Sequence, residues 1–293
     1  MEQNNRGTYK LKIQPTCVEC IINQARRVGE TLGVDATTAK KLEQNAIAMS
    51  KDFSFLQTPP EVATPVYEKM AAILETEDIY KDIKELSTKK ALSFLPLLEK
   101  RLQETNEKFL TALKIAVAGN VIDLASEVMF DLSEELEKVF ENDFAQDDSK
   151  ELFSLLQNAK EVVVLGDNAG EHIFDKLFIQ ILQELFPEVV FYYFTRGKPI
   201  INDVTYAEAL EAGFSCEVVD SGVPTPGFVY DLATPQAQAL FKNADLVISK
   251  GMGNYECLSP SFKSPIAFLL KVKCSVVAQS LGKEVGDIIC YLS

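Results

Sequence analysis

The sequence predicts an α/β protein: a helical N-terminal part (residues 1–145) leading into a three-layer α/β/α unit (146–293) built on a largely parallel sheet. Three observations carry that expectation. Before residue 142 the apolar residues recur at helical spacing, segment after segment. After residue 149 come short apolar runs rich in β-branched and aromatic side chains, at 162–165, 189–194, 246–249 and 266–272. Amphipathic stretches at 172–186 and 204–212 separate the first of these runs, and apolar strands alternating with helices imply a parallel sheet covered on both faces.

In chain order, the helical face over 61–74 is Val62, Val66, Met70, Ile73 and Leu74. It opens with Thr58-Pro59-Pro60-Glu61: a threonine N-cap, prolines where no amide donor is needed, and a glutamate three residues on. The same periodicity continues over 79–102, 109–118 and 132–140, and the polar stretch NDFAQDDS (142–149) closes the helical part. No internal repeat and no low-complexity tract interrupts it.

The 293 residues hold 43 acidic and 29 basic side chains, a net charge of -14, with 47% hydrophobic residues. Such a chain has ample material for a core, and its charge opposes general affinity for nucleic acid or anionic membrane. A small anion would need a local device: a metal ion, a lysine or a helix N-terminus. MEQNNRGTYKLKI lacks the apolar core of a signal peptide, and the run at 266–272 is too short to span a bilayer. Six scattered cysteines are too few for a disulfide scaffold. The expectation is a cytoplasmic protein with reduced thiols. The single histidine, His172, beside Glu171, reads as a surface or helix-N-terminal residue, and one histidine excludes any two-histidine metal site.

In parallel sheets ligands bind beyond the carboxyl ends of the strands, so the residues that follow each strand matter most. The first strand is followed by Gly166-Asp167-Asn168-Ala169-Gly170-Glu171. An Asx turn with a helix cap would explain one of the two polar residues more easily than both plus Glu171. The second is followed by Thr195-Arg196-Gly197-Lys198-Pro199-Ile200-Ile201-Asn202-Asp203, and because Thr205 and Glu208 already form a capping box, Asp203 is not needed as a cap. Asp167, Asn168 and Asp203 together make a hard oxygen set suited to a divalent cation, whereas the alternative for Asp203 is a solvated loop aspartate. The third strand runs into Lys250-Gly251-Met252-Gly253-Asn254-Tyr255-Glu256, a cation and two glycines that match neither phosphate-binding fingerprint. Asn120, in Ala118-Gly119-Asn120-Val121-Ile122-Asp123, marks either a break between helices or a side chain aimed at a ligand. Cys17-Val18-Glu19-Cys20 is half of a zinc or redox motif with no second half, and a buried pair explains it as well.

Taken together and in order, AGNVID, GDNAGE, RGKPIINDVT and KGMGNYE resemble the metal-dependent damage-control phosphatases, the ARMT1-like family first catalogued as domain of unknown function eighty-nine. The C-x-x-C pair resembles its prokaryotic branch, and the similarity extends to the closing Leu281-Gly-Lys-Glu-Val-Gly segment. The resemblance implies metal ligands at Asp167, Asn168 and Asp203, with magnesium, manganese, cobalt or nickel as the cation. It places Lys250 and Asn120 at the phosphate, with Asn254, Glu171 and Arg196 beside them. Asp167, Asp203 and Lys250 would be the catalytic groups in hydrolysis of a small phosphorylated metabolite, by activated water or by an aspartate acting as nucleophile or base. Two other readings compete: a non-catalytic binder of sugar phosphates or nucleotides, and a thiol redox or metal-handling protein centred on Cys17 and Cys20. A dinucleotide-dependent dehydrogenase ranks last, for want of the glycine fingerprint. Oligomeric state is not legible.

Overall fold

The computed structural model describes residues 11–121, 129–258 and 264–293. Of the motifs above, Ile122 and Asp123 lie outside the described residues, as do Met1–Lys10. The helical part comprises α1 (Pro15–Thr31), α2 (Ala36–Ser50), α3 (Pro59–Leu74), α4 (Lys81–Glu104), α5 (Lys108–Val121) and α6 (Met129–Glu141). The signal at Thr58 operates as its chemistry demands: the hydroxyl accepts from Glu61 N, and the Glu61 carboxylate accepts from Thr58 N at 2.8 Å.

The remainder alternates. β1 (Gln146–Asp147), α7 (Ser149–Leu156), β2 (Glu161–Leu165), α8 (Glu171–Leu185), β3 (Val190–Thr195), α9 (Tyr206–Ala212) and β4 (Glu217–Asp220) come first. After them come α10 (Pro235–Asn243), β5 (Leu246–Lys250), α11 (Gly251–Cys257), β6 (Ile266–Lys271), α12 (Ser275–Leu281) and β7 (Ile288–Leu292). The strands form one sheet in the order β1-β7-β6-β5-β2-β3-β4, parallel at every pairing except β6 with β7. The α/β class and the largely parallel sheet stand as the sequence predicts.

Both faces of the central strands are buried, which is why they read as unbroken apolar runs. Val162 and Val164 of β2 face a core shared with α4, α5 and α8, through Phe94, Leu98, Ile115, Phe174 and Phe178. Val163 and Leu165 face the opposite core, with Phe241 of α10 and Val277 of α12. Helices α1–α3 build a third cluster around Ile21, Val28, Val62 and Met70, and Ile200 from the loop after β3 is buried within it. Among the described residues no helix is long and apolar enough to cross a membrane.

The strand order fixes where a ligand can sit. From β2 the chain moves outward to β3 and β4, then returns to the other side of β2 as β5. Between β2 and β5 the loops part in opposite directions, opening a crevice at the carboxyl edge.

His172 departs from the surface expectation. It lies in the first turn of α8 but is 1% exposed, and its Nδ1 accepts a hydrogen bond from Gly170 N at 2.9 Å. Burial holds its pKa down at about 4, against 6.5 for the free side chain. The neutral ring therefore stabilises the fold fully above pH 6.5, and that contribution drains away as pH falls toward 4. The gap is worth on the order of 3 kcal/mol. A His172→Gln variant should lose stability less steeply than wild type between pH 6.5 and 4, as denaturant melts across that range would record.

Candidate functional site

The loops after β2 and β3 zip together before any side chain is considered. Val204 N donates to Asp167 O and Ala169 N to Asn202 O, both at 2.8 Å, and Asn168 and Asp203 form an isolated antiparallel bridge. Asp167, Asn168 and Asp203 are thus brought to one place, and all three line a cavity of about 440 Å³. Asp203 is free of capping duty, because the Glu208 carboxylate accepts from both Thr205 N and Thr205 Oγ1 at 2.7 Å. A larger hollow of about 610 Å³ between α4 and α5 is lined by mixed surface charges such as Lys100, Arg101 and Glu104, so chemistry rather than size distinguishes the site.

The loop that carries Asp203 is held under tension. Ile201 sits at φ 47, in the left-handed region where a β-branched side chain is costly, on the order of 1–3 kcal/mol. Ile201 packs against the α1–α3 cluster beside the buried Ile200, and this contact retains the conformation.

Around the trio the side chains form a polar network. Asn120, at the end of α5 and 2% exposed, donates through Nδ2 to Asp167 Oδ2 at 3.0 Å and to Glu171 Oε1 at 3.2 Å. Its Oδ1 accepts from Lys271 N, at the end of β6. Asn168 Nδ2 also donates to Asp167 Oδ2 and Glu171 Oε1, which leaves Oδ1 as its acceptor. Arg196, 2% exposed, donates through Nε to Asp203 Oδ2 at 2.7 Å. Asn120 and the trio therefore meet at the cavity wall.

The other residues singled out from the sequence stand behind that wall. Lys250, the last residue of β5, is fully buried, and its ammonium is paired with the equally buried Asp175 rather than turned to the cavity. Asn254 donates to Gly166 O and Lys250 O and accepts from Phe228 N and Arg196, so its polar capacity is spent bracing three loops. Glu171 is 3% exposed and receives the two amides. Gly251 explains one glycine of the lysine motif. At φ 74 it turns the chain, and a Cβ there would meet Asp167 Oδ2 at 2.0 Å.

Two lining residues escaped the sequence reading. Lys273, exposed at the cavity rim, follows β6, so the strand-end rule applied to the fourth apolar run would have found it. Glu256, the last residue of the KGMGNYE motif, lies half-buried on α11 and lines the same cavity. Cys17, Cys20 and Cys274 form another part of the wall, and burial raises the pKa of both Cys17 and Cys20.

Electrostatically the site is short of positive charge. Burial and then the neighbouring Asp203 push Asp167 up to about 6. Burial raises Asp203 to about 6 despite Arg196, and burial followed by Asp167 raises Glu171 to about 7. Glu256 is driven to about 8, again by burial and then Asp167. Among the described residues no three His, Cys, Asp or Glu side chains are grouped to hold a metal, and the trio at this wall is two carboxylates and an amide. Two carboxylates and the Asn168 amide, in a pocket where Arg196 pairs with Asp203 but among the described residues no cation is paired with Asp167, fit a hard divalent cation that retains waters.

Comparison with known proteins gives a consistent result. The damage-control phosphatase ARMT1-like domain model matches residues 13–289. The chain is 32% identical over 286 residues to a damage-control phosphatase of Pyrococcus horikoshii, covering 96% of this chain and 98% of that one. It is 28% identical over 287 residues to one of Archaeoglobus fulgidus, covering 95% and 98% respectively. The crystal structure of a DUF89 family protein from Pyrococcus horikoshii superposes with a TM-score of 0.87 at 30% identity, over 95% of this chain and 98% of that one.

Two substitutions test the geometry. Gly251→Ala should cost about 2 kcal/mol or more, because it strains the backbone and drives into Asp167. Lys250→Met should cost about 3–5 kcal/mol by leaving the buried Asp175 without its counter-charge, and Lys250→Met/Asp175→Leu should recover much of that loss in chemical denaturation.

Proposed function

The chain belongs to the damage-control phosphatase ARMT1-like family, and on that premise we propose that it is a phosphatase for small phosphomonoesters working with a bound divalent cation. One observation carries this reading beyond family membership: Asp167, Asn168 and Asp203, from two different strand ends, line one cavity among carboxyls that burial leaves under-compensated. Magnesium, manganese, cobalt or nickel held by this trio would supply Lewis-acid charge at the phosphate and acidify an attacking water.

The remaining work falls to the chain itself. Asn120, pinned by Lys271 N and already donating to Asp167, keeps that carboxylate aimed into the cavity. Arg196 fixes Asp203 in the same way, and Asn254 in turn fixes Arg196. Lys273 is the cation at the rim and the better partner for the phosphate oxygens, while Lys250 supports the floor through Asp175. Electrostatic neutralisation of the equatorial oxygens supplies most of the catalysis in phosphoryl transfer. Glu171, Asn254 and Arg196 serve as positioning residues rather than substrate contacts. The substrate is a small phosphorylated metabolite, sugar phosphates among them, and the cavity volume lies within the range for such ligands. The thiol reading is disfavoured, because the pKa of both Cys17 and Cys20 is raised, and a thiol kept protonated is a poor nucleophile and a poor metal ligand.

Asp203→Ala and Asp167→Ala should each lower kcat/KM on any active phosphomonoester by about a hundredfold or more while the variants stay folded by circular dichroism. Phosphate release should fall to background after EDTA treatment and return on adding one of the four cations. EDTA-treated protein working at the untreated rate would contradict the cation requirement.

A further inference from the structure

Three carboxyls line this cavity, Asp167, Asp203 and Glu256, with Glu171 buried behind the wall, and all but Glu256 are held by donors. Asp167 and Glu171 each accept hydrogen bonds from the amides of Asn120 and Asn168, and Asp203 accepts from the Arg196 guanidinium. Donors of that kind favour the ionised, accepting form and so oppose the burial that raises all three. Glu256 differs in every respect. Among the described residues its carboxyl has no hydrogen-bond or salt-bridge partner, and it is carried by α11 rather than by the loops after β2 and β3. It nevertheless lines the same cavity, on a wall it shares with Cys17, Ile21 and Met252.

We propose that Glu256 is the general acid of this site, delivering a proton to the departing ester oxygen as the phosphorus–oxygen bond breaks. The proposal rests on the phosphatase reading above. A phosphomonoester and water yield an alcohol and inorganic phosphate: the ester oxygen leaves with the bonding pair and takes the Glu256 proton, the attacking water gives up its own proton, and solvent reprotonates Glu256. Atoms and charge balance with no further reactant. An aliphatic alkoxide is a poor leaving group, so a placed acid is worth a factor of about 10² to 10⁴ for such esters and far less when the leaving oxygen belongs to a nitrophenol. Burial and then the charge of Asp167 push the carboxyl upward, the direction a proton donor needs. The charged and titratable groups around it are Asp167 after β2, Cys17 and Cys20 on α1, and Lys273 and Cys274 after β6. None of them is positioned to keep it ionised by a hydrogen bond.

The test compares wild type with Glu256→Gln on two leaving groups, hexose and glycerol phosphates against p-nitrophenyl phosphate, with manganese present and folding checked by thermal melts. The expected result is a fall of about a hundredfold or more in the ratio of aliphatic to aryl kcat/KM, together with loss of the basic limb of the aliphatic pH–rate profile. An equal fall on both esters, an unchanged ratio, or wild-type activity confined to the aryl ester would overturn the assignment. A fall on both with weaker manganese stabilisation would make Glu256 a cation ligand and likewise overturn it. Wild type releasing phosphate from no ester would instead sink the phosphatase reading itself.

Discussion

Like charges kept together out of water are the constraint around which this molecule is organised. Asp167, Glu171, Asp203 and Glu256 gather where the loops after β2 and β3 meet α11, and each is pushed toward its neutral form, chiefly by burial. A fold tolerates such a cluster only if its surroundings over-determine it. Here they do: Asn120 ties α5 to the end of β6 and to Asp167, Arg196 and Asn254 lock the second loop to the third, and Lys250 is matched to Asp175 beneath.

That arrangement also separates two kinds of polar residue that look identical in a sequence. Residues at the cavity surface have spare acceptor capacity. Those one layer behind have none left, and Asn254, with two bonds donated and two accepted, is the clearest case. Motif membership alone cannot rank the two layers, because both come from the same short loops.

The α/β class, the helical beginning and the trio Asp167, Asn168 and Asp203 were legible because they follow from periodicity and from where parallel strands end. The caps at Thr58 and Thr205 were legible for the same reason: they are local chemistry. What escaped depends on burial and direction, which one dimension does not encode. Lys250 ends a strand as expected, yet its side chain leaves the sheet on the face occupied by Asp175 of α8, so a lysine at the right edge is turned away from the cavity. Of the two places the sequence allowed His172, the helix N-terminus holds and the surface does not, because the first turn of α8 is buried here and Gly170 N supplies the partner. Lys273 was within reach of the strand-end rule. Glu256 was not, since nothing in the sequence distinguishes a carboxyl that lines a cavity from a solvated one.

The loop between β3 and α9 belongs to two assemblies at once. Its Ile200 and Ile201 are part of the helical cluster of α1–α3, while Asp203, two residues on, belongs to the cavity. The cavity's other wall, with Cys17, Ile21 and Gln24, is α1 itself. The first three helices therefore both wall the cavity and anchor the loop that carries Asp203, so a substitution that loosens their core near Ile200 reaches the cavity through one short stretch of backbone.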